Sequence, residues 1–345
     1  MLDDPVWIKH HDPKGALAMA AGQWRQLSFA AEVRGGASVE SDWRAKNIVL
    51  AGMGGSALAG GLLKAATPPS VPFEAARGYN LPPYISDDSL VIACSYSGNT
   101  EETLSAARQA AQRGARLAVI GSGGRLLEAA AEHGHPYVKL EDGLAPRMSV
   151  LQTWRALARL LSLYGSLEET AFSGLAGYAE WLKDQAAAWL PSVPPEHNLA
   201  KQLALKVAGK TAVIYGGPKT AALAYKWKIS FNENAKNLAF FGRQPEVSHN
   251  ELAGWSSHPV EKPFAVIDLL SPLEDAEILN RFQLTSRLLS GLRPAPISAP
   301  LEGNSLTAQL LWGCVLSDMT SVYLALLNGV EPLGVELIEK FKRQL

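Results

Sequence analysis

One unit recurs along this chain and limits what it can fold into: a short apolar run, a turn of glycine or hydroxyl residues, then a helix of small side chains. It occurs at Asn47-Ile-Val-Leu-Ala-Gly, with a helix over about 56–64, and at Ser89-Leu-Val-Ile-Ala-Cys-Ser, where Tyr96-Ser-Gly-Asn-Thr leads into a helical stretch from Glu101. It returns at Arg116-Leu-Ala-Val-Ile-Gly before Ser122-Gly-Gly-Arg-Leu-Leu. Strand and helix alternating across short loops predict right-handed βαβ units and a mostly parallel sheet, with ligands at the carboxyl ends of its strands.

From Pro146 to Trp189 the pattern turns helical and stops at the Pro191 to Pro195 cluster. Thr211-Ala-Val-Ile-Tyr-Gly-Gly-Pro-Lys-Thr-Ala-Ala-Leu-Ala then echoes Ile48-Val-Leu-Ala-Gly-Met-Gly-Gly-Ser-Ala-Leu-Ala, a degenerate internal repeat. Phe264-Ala-Val-Ile-Asp-Leu-Leu adds a strand to this half, and a long apolar helix over about 308–327 precedes a charged tail. With 345 residues there is room for about two domains. The reading places one over 1–152 and a helical bridge with the second over 153–345.

Composition removes several functions. A hydrophobic share of 47%, 19% charged residues and a net charge of −1 describe a compact chain with no field to attract a polyanion. Neither nucleic acid nor a membrane surface is expected as its main partner. The start, Met1-Leu-Asp-Asp-Pro, lacks the basic, apolar character of a signal peptide, and no apolar run is expected to reach the roughly 20 residues that cross a bilayer. The cytoplasm is the expected compartment. Cys94 and Cys314 are far apart and outside any CxxC pair, so they read as buried thiols.

Two loops could hold a ligand. Gly52, Gly54 and Ala57 satisfy the dinucleotide pattern GxGxx(G/A), and Glu74 lies where a ribose-binding carboxylate is expected, although glycines here could also serve only a sharp turn. The second loop favours a phosphate monoester. Ser95, Ser97, Thr100 and Thr103 place hydroxyls and backbone N–H groups at a helix start, where the dipole favours an anion. Ordinary N-capping is the plainer reading of that loop. A P-loop is missing, because Pro218-Lys219-Thr220 follows its two glycines at the wrong spacing.

Gly52-Met-Gly-Gly-Ser-Ala, Ser95-Tyr-Ser-Gly-Asn-Thr-Glu-Glu-Thr, Asn232-Glu-Asn-Ala-Lys and Ser248-His-Asn-Glu-Leu-Ala-Gly-Trp together resemble the bifunctional phosphoglucose/phosphomannose isomerases, two-domain members of the sugar isomerase (SIS) superfamily. The first two motifs are shared by many phosphosugar-binding domains; the last two are narrower. The resemblance implies an α/β fold of two SIS-type, flavodoxin-like domains, each a parallel β-sheet flanked by helices. It also implies an aldose–ketose isomerase acting on hexose 6-phosphates through a cis-enediol, with no metal and no cofactor.

The site residues follow from the same resemblance. Glu233 would be the base that moves a proton between C1 and C2. His249 would act on the ring oxygen or the C1 hydroxyl from the neighbouring subunit, which implies a homodimer. Arg147 would stabilise enediolate charge, and a tail lysine, Lys342 in preference to Lys340, would assist ring opening. Gly54, Gly55, Ser56, Ser95, Ser97 and Thr100 would hold the phosphate. Outside the resemblance, Glu233 reads as a solvated or capping carboxylate, His249 as structural, Arg147 as a salt-bridge partner and Lys342 as solvated. No second His or Cys stands at metal-ligand spacing from His249.

Three other functions compete. A non-catalytic sugar-phosphate-binding SIS regulator would bind without turnover and would not need a proton-transfer base. A nicotinamide dehydrogenase would use Gly52 to Ala57 and leave the serine loop unexplained. An aminosugar synthase would require an N-terminal cysteine nucleophile, where this chain has Met1-Leu-Asp-Asp.

Overall fold

The computed structural model describes residues 2–36, 43–257 and 263–344. Contacts group the chain as Gln23–Glu180 and as Met1–Gly22 with Trp181–Leu345, whereas the sequence reading separates 1–152 from 153–345. Two local facts set the observed grouping. The helix Val150–Leu163 packs on the helix Gly54–Ala66 of the first unit, and the helix Ala16–Ala21 packs on Leu306–Leu327 of the second.

In the unit Gln23–Glu180, β1 (Val33–Arg34), β2 (Asn47–Ala51), β3 (Phe73–Ala76), β4 (Ser89–Cys94), β5 (Arg116–Gly121) and β6 (Tyr137–Lys139) form one sheet in the order β1-β6-β5-β4-β2-β3. All neighbours are parallel except β1, which runs antiparallel to β6 with Val33 opposite Val138. From β2 the chain moves out to β3 and then returns to place β4 on the other side of β2. That reversal is the flavodoxin-type switch point, and sheets of this kind bind ligands at the carboxyl ends of the two strands that flank it.

Side chains alternate across this sheet. Val49, Val91 and Val119 face a core closed by Leu104, Ala106, Leu126 and Ala130 of the helices Glu101–Gln112 and Gly124–Glu132. Leu50 faces the other way, toward the helix Gly54–Ala66, where a Cβ added at Gly60 would stand 2.4 Å from Leu50 Cδ2. Because both faces of its middle are covered, the central strands β2, β4 and β5 read as nearly unbroken apolar runs, and every residue of β4 is buried, whereas β1, β3 and β6 are partly exposed.

The second unit repeats the plan. Strands β7 (Thr211–Gly216), β8 (Ala239–Arg243), β9 (Phe264–Leu270) and β10 (Ile297–Pro300) are all parallel, in the order β10-β9-β7-β8. The switch point now lies between β7 and β9, so the sequence echo at Thr211 is a structural repeat. One core holds Val213, Tyr215, Val247, Val266, Ile278 and Phe282.

The helix Leu306–Leu327 corrects one expectation. Its 22 residues and mean hydropathy of 1.6 make it long and apolar enough to cross a bilayer, although Gln309, Ser317, Asp318 and Ser321 interrupt it. That window is 94% buried within the protein, against the helices Leu199–Val207 and Ala221–Glu233, so its apolar character belongs to a core helix.

Candidate active site

The two ligand loops of the first unit lie at the carboxyl ends of the adjacent strands β2 and β4. Each opens a helix: Gly54–Ala66 after Met53, and Glu101–Gln112 after Thr100. Neither Met53 nor Thr100 caps its helix through a side chain. Two helix N-termini therefore lie at the carboxyl ends of adjacent strands without a side-chain cap, an arrangement that suits a bound anion, although Glu101 and Glu102 stand in the first turn of the second helix.

The glycines of the first loop are required by close approach. A Cβ at Gly52 would stand 2.7 Å from the Cys94 carbonyl oxygen, and one at Gly55 would stand 3.0 Å from the Pro146 oxygen and 3.2 Å from Arg147 Cα. Gly54 adopts φ +49° with open space beside it. Ser56 ties the two loops together, since its Oγ accepts from the Tyr96 amide at 3.2 Å. Cys94 lies beneath, its thiol pushed up to about 12 by burial despite a hydrogen bond with Ser56, in keeping with a buried, unreactive sulfur.

The hydroxyls of the second loop differ in what they do. Ser95 is buried; its Oγ shares a hydrogen bond of 2.8 Å with Thr100 Oγ1 and accepts from the Gly98 amide at 3.1 Å. It shapes the loop from within. Ser97 is exposed, and its Oγ accepts only a longer bond, 3.3 Å from the Asn99 amide. Gly98 has φ +68° and packs so tightly that a Cβ there would stand 1.8 Å from the Gly123 oxygen.

Arg147 sits in the one-turn segment Pro146–Met148 and is 2% exposed, which removes the surface salt-bridge reading. Its backbone lies against Gly55. The turn is held by the Gln26 side chain, which donates to the Met148 oxygen at 2.7 Å and accepts from the Gln152 amide at 3.0 Å. Glu74 stands within β3 opposite Val49, and its Oε1 accepts a hydrogen bond from the exposed Tyr84 hydroxyl.

In the second unit, Glu233 is the last residue of the helix Ala221–Glu233 and is half-buried. The asparagines beside it are anchors. Asn232 Oδ1 accepts from the Ala239 amide at 2.9 Å, and Asn234 Nδ2 donates to Ser321 Oγ at 2.8 Å. Lys236 then fixes the turn beyond, donating to the oxygens of Asn234 and Pro332 at 3.3 and 3.0 Å.

His249 closes the short turn Glu246–His249 and is exposed. Its neighbours in the motif hold the turn down: Ser248 Oγ donates to Gln244 Oε1 at 2.6 Å, Tyr215 donates to Glu251 Oε2 at 2.6 Å, and Trp255 Nε1 donates to the Tyr215 hydroxyl at 2.9 Å. Behind it, Asp268 Oδ1 and Arg293 Nε and Nη1 are buried without a hydrogen-bond partner among the described residues. They line a cavity of about 10 Å³, room for one water molecule. Lys340 and Lys342 lie exposed on the helix Glu336–Lys342.

The repeat differs from its first copy at one telling place. Glu274 Oε1 accepts from the amides of Lys219 and Thr220 at 2.9 and 3.1 Å and from Thr220 Oγ1 at 3.3 Å. A Cβ at Gly217 would stand 2.4 Å from that oxygen. The chain's own carboxylate occupies the anion position of the second switch point, whereas at the first no N-cap side chain bonds either helix. Burial raises the Glu274 carboxyl, and the bonds from Lys219 and Thr220 pull it back. Among the described residues no three His, Cys, Asp or Glu side chains gather to hold a metal ion.

Two α/β units with flavodoxin-type strand order, one with two helix N-termini at its switch point that no N-cap side chain bonds, make this a doubly wound α/β protein with an anion site at the carboxyl ends of its strands. Residues 43–125 match the family described as SIS domain, and residues 196–345 match the bacterial phospho-glucose isomerase C-terminal SIS domain. The chain is 34% identical to the bifunctional phosphoglucose/phosphomannose isomerase of Aquifex aeolicus, covering 87% of this chain and 90% of that one. It is 35% identical to the protein of the same name from Caldicellulosiruptor bescii, covering 86% and 89%. The chain belongs to the bifunctional phosphoglucose/phosphomannose isomerase family. Its fold also matches a glucose-6-phosphate isomerase like protein from Thermus thermophilus, with a TM-score of 0.65, 20% identity and coverage of 100% and 99% of the two chains.

Proposed function

We propose that this protein interconverts glucose 6-phosphate, and mannose 6-phosphate, with fructose 6-phosphate through a cis-enediol, in the cytoplasm and without a metal or cofactor. The observation that carries the reading is the asymmetry of the repeat: at the first switch point neither helix N-terminus has a side-chain cap, whereas at the second Glu274 binds the amides of the helix start. An anion site at this switch point, in a chain of this family, fits a sugar phosphate better than a dinucleotide, because the would-be ribose carboxylate Glu74 stands inside β3 opposite Val49 and not at a strand's carboxyl end.

The phosphate is held by the amides of Gly54 and Gly55 and by the hydroxyls of Ser56, Ser97 and Thr100, with Ser95 fixing the loop's shape. With the ring open, the Glu233 carboxylate removes the proton from C2 of the aldose and returns it to C1, and the electron pair passes into the enediolate. Arg147 offsets the charge that develops on the oxygens. His249 opens the ring by moving a proton at the ring oxygen or the C1 hydroxyl, and Lys342 assists that step. Half-burial of Glu233 and anchoring on both of its sides support its role.

His249 reaches the site of the partner subunit in a homodimer, and its exposure on a clamped turn supports this. Proton NMR with fructose 6-phosphate in deuterated buffer tests the reaction: both aldose phosphates should appear with deuterium at C2. Binding without turnover would move the protein to the regulatory alternative. Mixing Glu233→Gln and His249→Ala subunits tests the dimer. Each variant alone should be inactive while the mixture regains activity; a mixture of proven heterodimers as inactive as its parents would refute the shared site.

A further inference from the structure

We propose that Asp318, which has no part in the reaction itself, is a positioning residue for Glu233, fixing the rotation and axial register of the helix that ends in the base. The proposal rests on the reading of Glu233 as that base.

The helix Ala221–Glu233 packs on Leu306–Leu327, and a polar stripe crosses the contact between them. Lys226, Ser230 and Asn234 recur at intervals of four, which puts them on one face. All three are fully buried, as are Asp318 and Ser321 opposite them. Asp318 Oδ1 accepts from Lys226 Nζ at 2.6 Å, from Ser230 Oγ at 2.8 Å and from Asn234 Nδ2 at 3.5 Å. Lys226 also donates to Ser230 Oγ at 2.9 Å, and Trp227 Nε1 donates to the Gly313 oxygen at 3.0 Å on the same facing helix.

Stability does not account for this stripe. Exchanging a buried ion pair for apolar side chains of similar volume is often neutral or stabilising, so a buried Lys–Asp pair is a poor means of holding two helices together. Its particular property is direction. Apolar ridges and grooves tolerate rotation and sliding with repacking, whereas three donors converging on one carboxylate oxygen admit a single register. The residue at the end of that stripe, Asn234, adjoins Glu233, so the register set at Asp318 is delivered to the base within one residue.

The test is the double variant Lys226→Met/Asp318→Leu, which removes both charges together; Ser230→Ala is added to it so that the hydroxyl that loses both partners is not left buried and unpaired, while Asn234 keeps its bond to Ser321. Its melting temperature should equal or exceed that of the parent. The turnover number and the rate of C2 proton exchange should fall about 100-fold, the effect of a displacement near 1 Å at a reacting group, while the KM for fructose 6-phosphate stays within about twofold. A merely structural role would restore turnover along with stability, so a well-folded combined variant with the parent's turnover number overturns the proposal. Should that variant fail to fold, Ser230→Ala alone keeps the ion pair and removes the 2.8 Å bond to Asp318 and the 2.9 Å bond from Lys226. It should lower turnover about tenfold with KM held, and unchanged turnover would refute the positioning role. Glu233→Gln separates the two readings. If it abolishes exchange while the folded combined variant exchanges normally, only the positioning role falls; if it leaves exchange intact, the base assignment falls and takes this proposal with it.

Discussion

Ser95→Ala and Ser97→Ala, two residues apart in one loop, should fail in opposite ways. Ser95 is buried and its Oγ takes part in two hydrogen bonds, with Thr100 Oγ1 at 2.8 Å and from the Gly98 amide at 3.1 Å. At about 1 kcal/mol each, their loss destabilises the protein by about 2 kcal/mol. For a cooperative unit the size of Gln23–Glu180 that is a fall of roughly 4–8 °C in melting temperature. Ser97 is exposed and accepts one long bond, so its truncation should change stability by no more than about 0.5 kcal/mol. Its effect should fall on substrate. A hydrogen bond to a charged phosphate contributes about 1.5–3 kcal/mol, which converts to a drop in kcat/KM of roughly 10- to 150-fold, most of it in KM. Differential scanning calorimetry and steady-state kinetics on the two variants make the comparison. A Ser97→Ala enzyme with the parent's KM, or a Ser95→Ala protein with the parent's melting temperature, would refute the division of labour read from this loop.

Two further predictions concern single positions. Gly98→Ala places a Cβ 1.8 Å from the Gly123 oxygen at a φ of +68°, so it should destabilise the first unit by more than about 4 kcal/mol; a melting curve like the parent's would refute that packing. Asp268 should give stability a pH dependence of unusual sign. Burial pushes its carboxyl up to about 6, with the Arg293 guanidinium pulling the other way. The folded state therefore holds this proton more tightly than the unfolded chain, and the contribution is complete below about pH 4 and lost as pH rises through 6. It amounts to roughly 3 kcal/mol, so Asp268→Asn should flatten the stability profile between pH 4 and 6 and raise stability at pH 8 relative to the parent; urea titrations across that range that show the parent's slope in the variant would count against it.

The strands β2, β4, β5, β7 and β9, the glycine turns and the parallel sheets were legible in the chain because each depends on neighbours a few residues apart, whereas β1, β3, β6, β8 and β10 went unread because they are short or partly exposed and lack an unbroken apolar run. An apolar run of five or six residues makes a doubly covered strand, and a glycine follows where the backbone must turn hard against the next strand. The long helix begins at Leu306, two residues before its expected start, because Ser305 caps it by accepting from the Ala308 amide at 3.2 Å. The names of the site residues came from motif resemblance, since the spacing of Glu233 or His249 says nothing by itself about proton transfer.

What the chain withheld are relations between residues far apart in it. Ser95 and Ser97 look alike in sequence, and only the fold buries one and leaves the other exposed. Arg147 could have been a surface cation; it is buried because Gly55 leaves room for its backbone and Gln26 holds its turn. Glu274 closes the second copy of the anion loop across 54 residues, and Asp318 meets Asn234 across 84. Backbone stereochemistry and hydrophobic periodicity act locally, so the sequence by itself determined which elements form. Partnership between polar side chains is decided when those elements pack, so only the tertiary structure showed which switch point binds the chain's own carboxylate and what anchors the segments that carry Glu233 and His249.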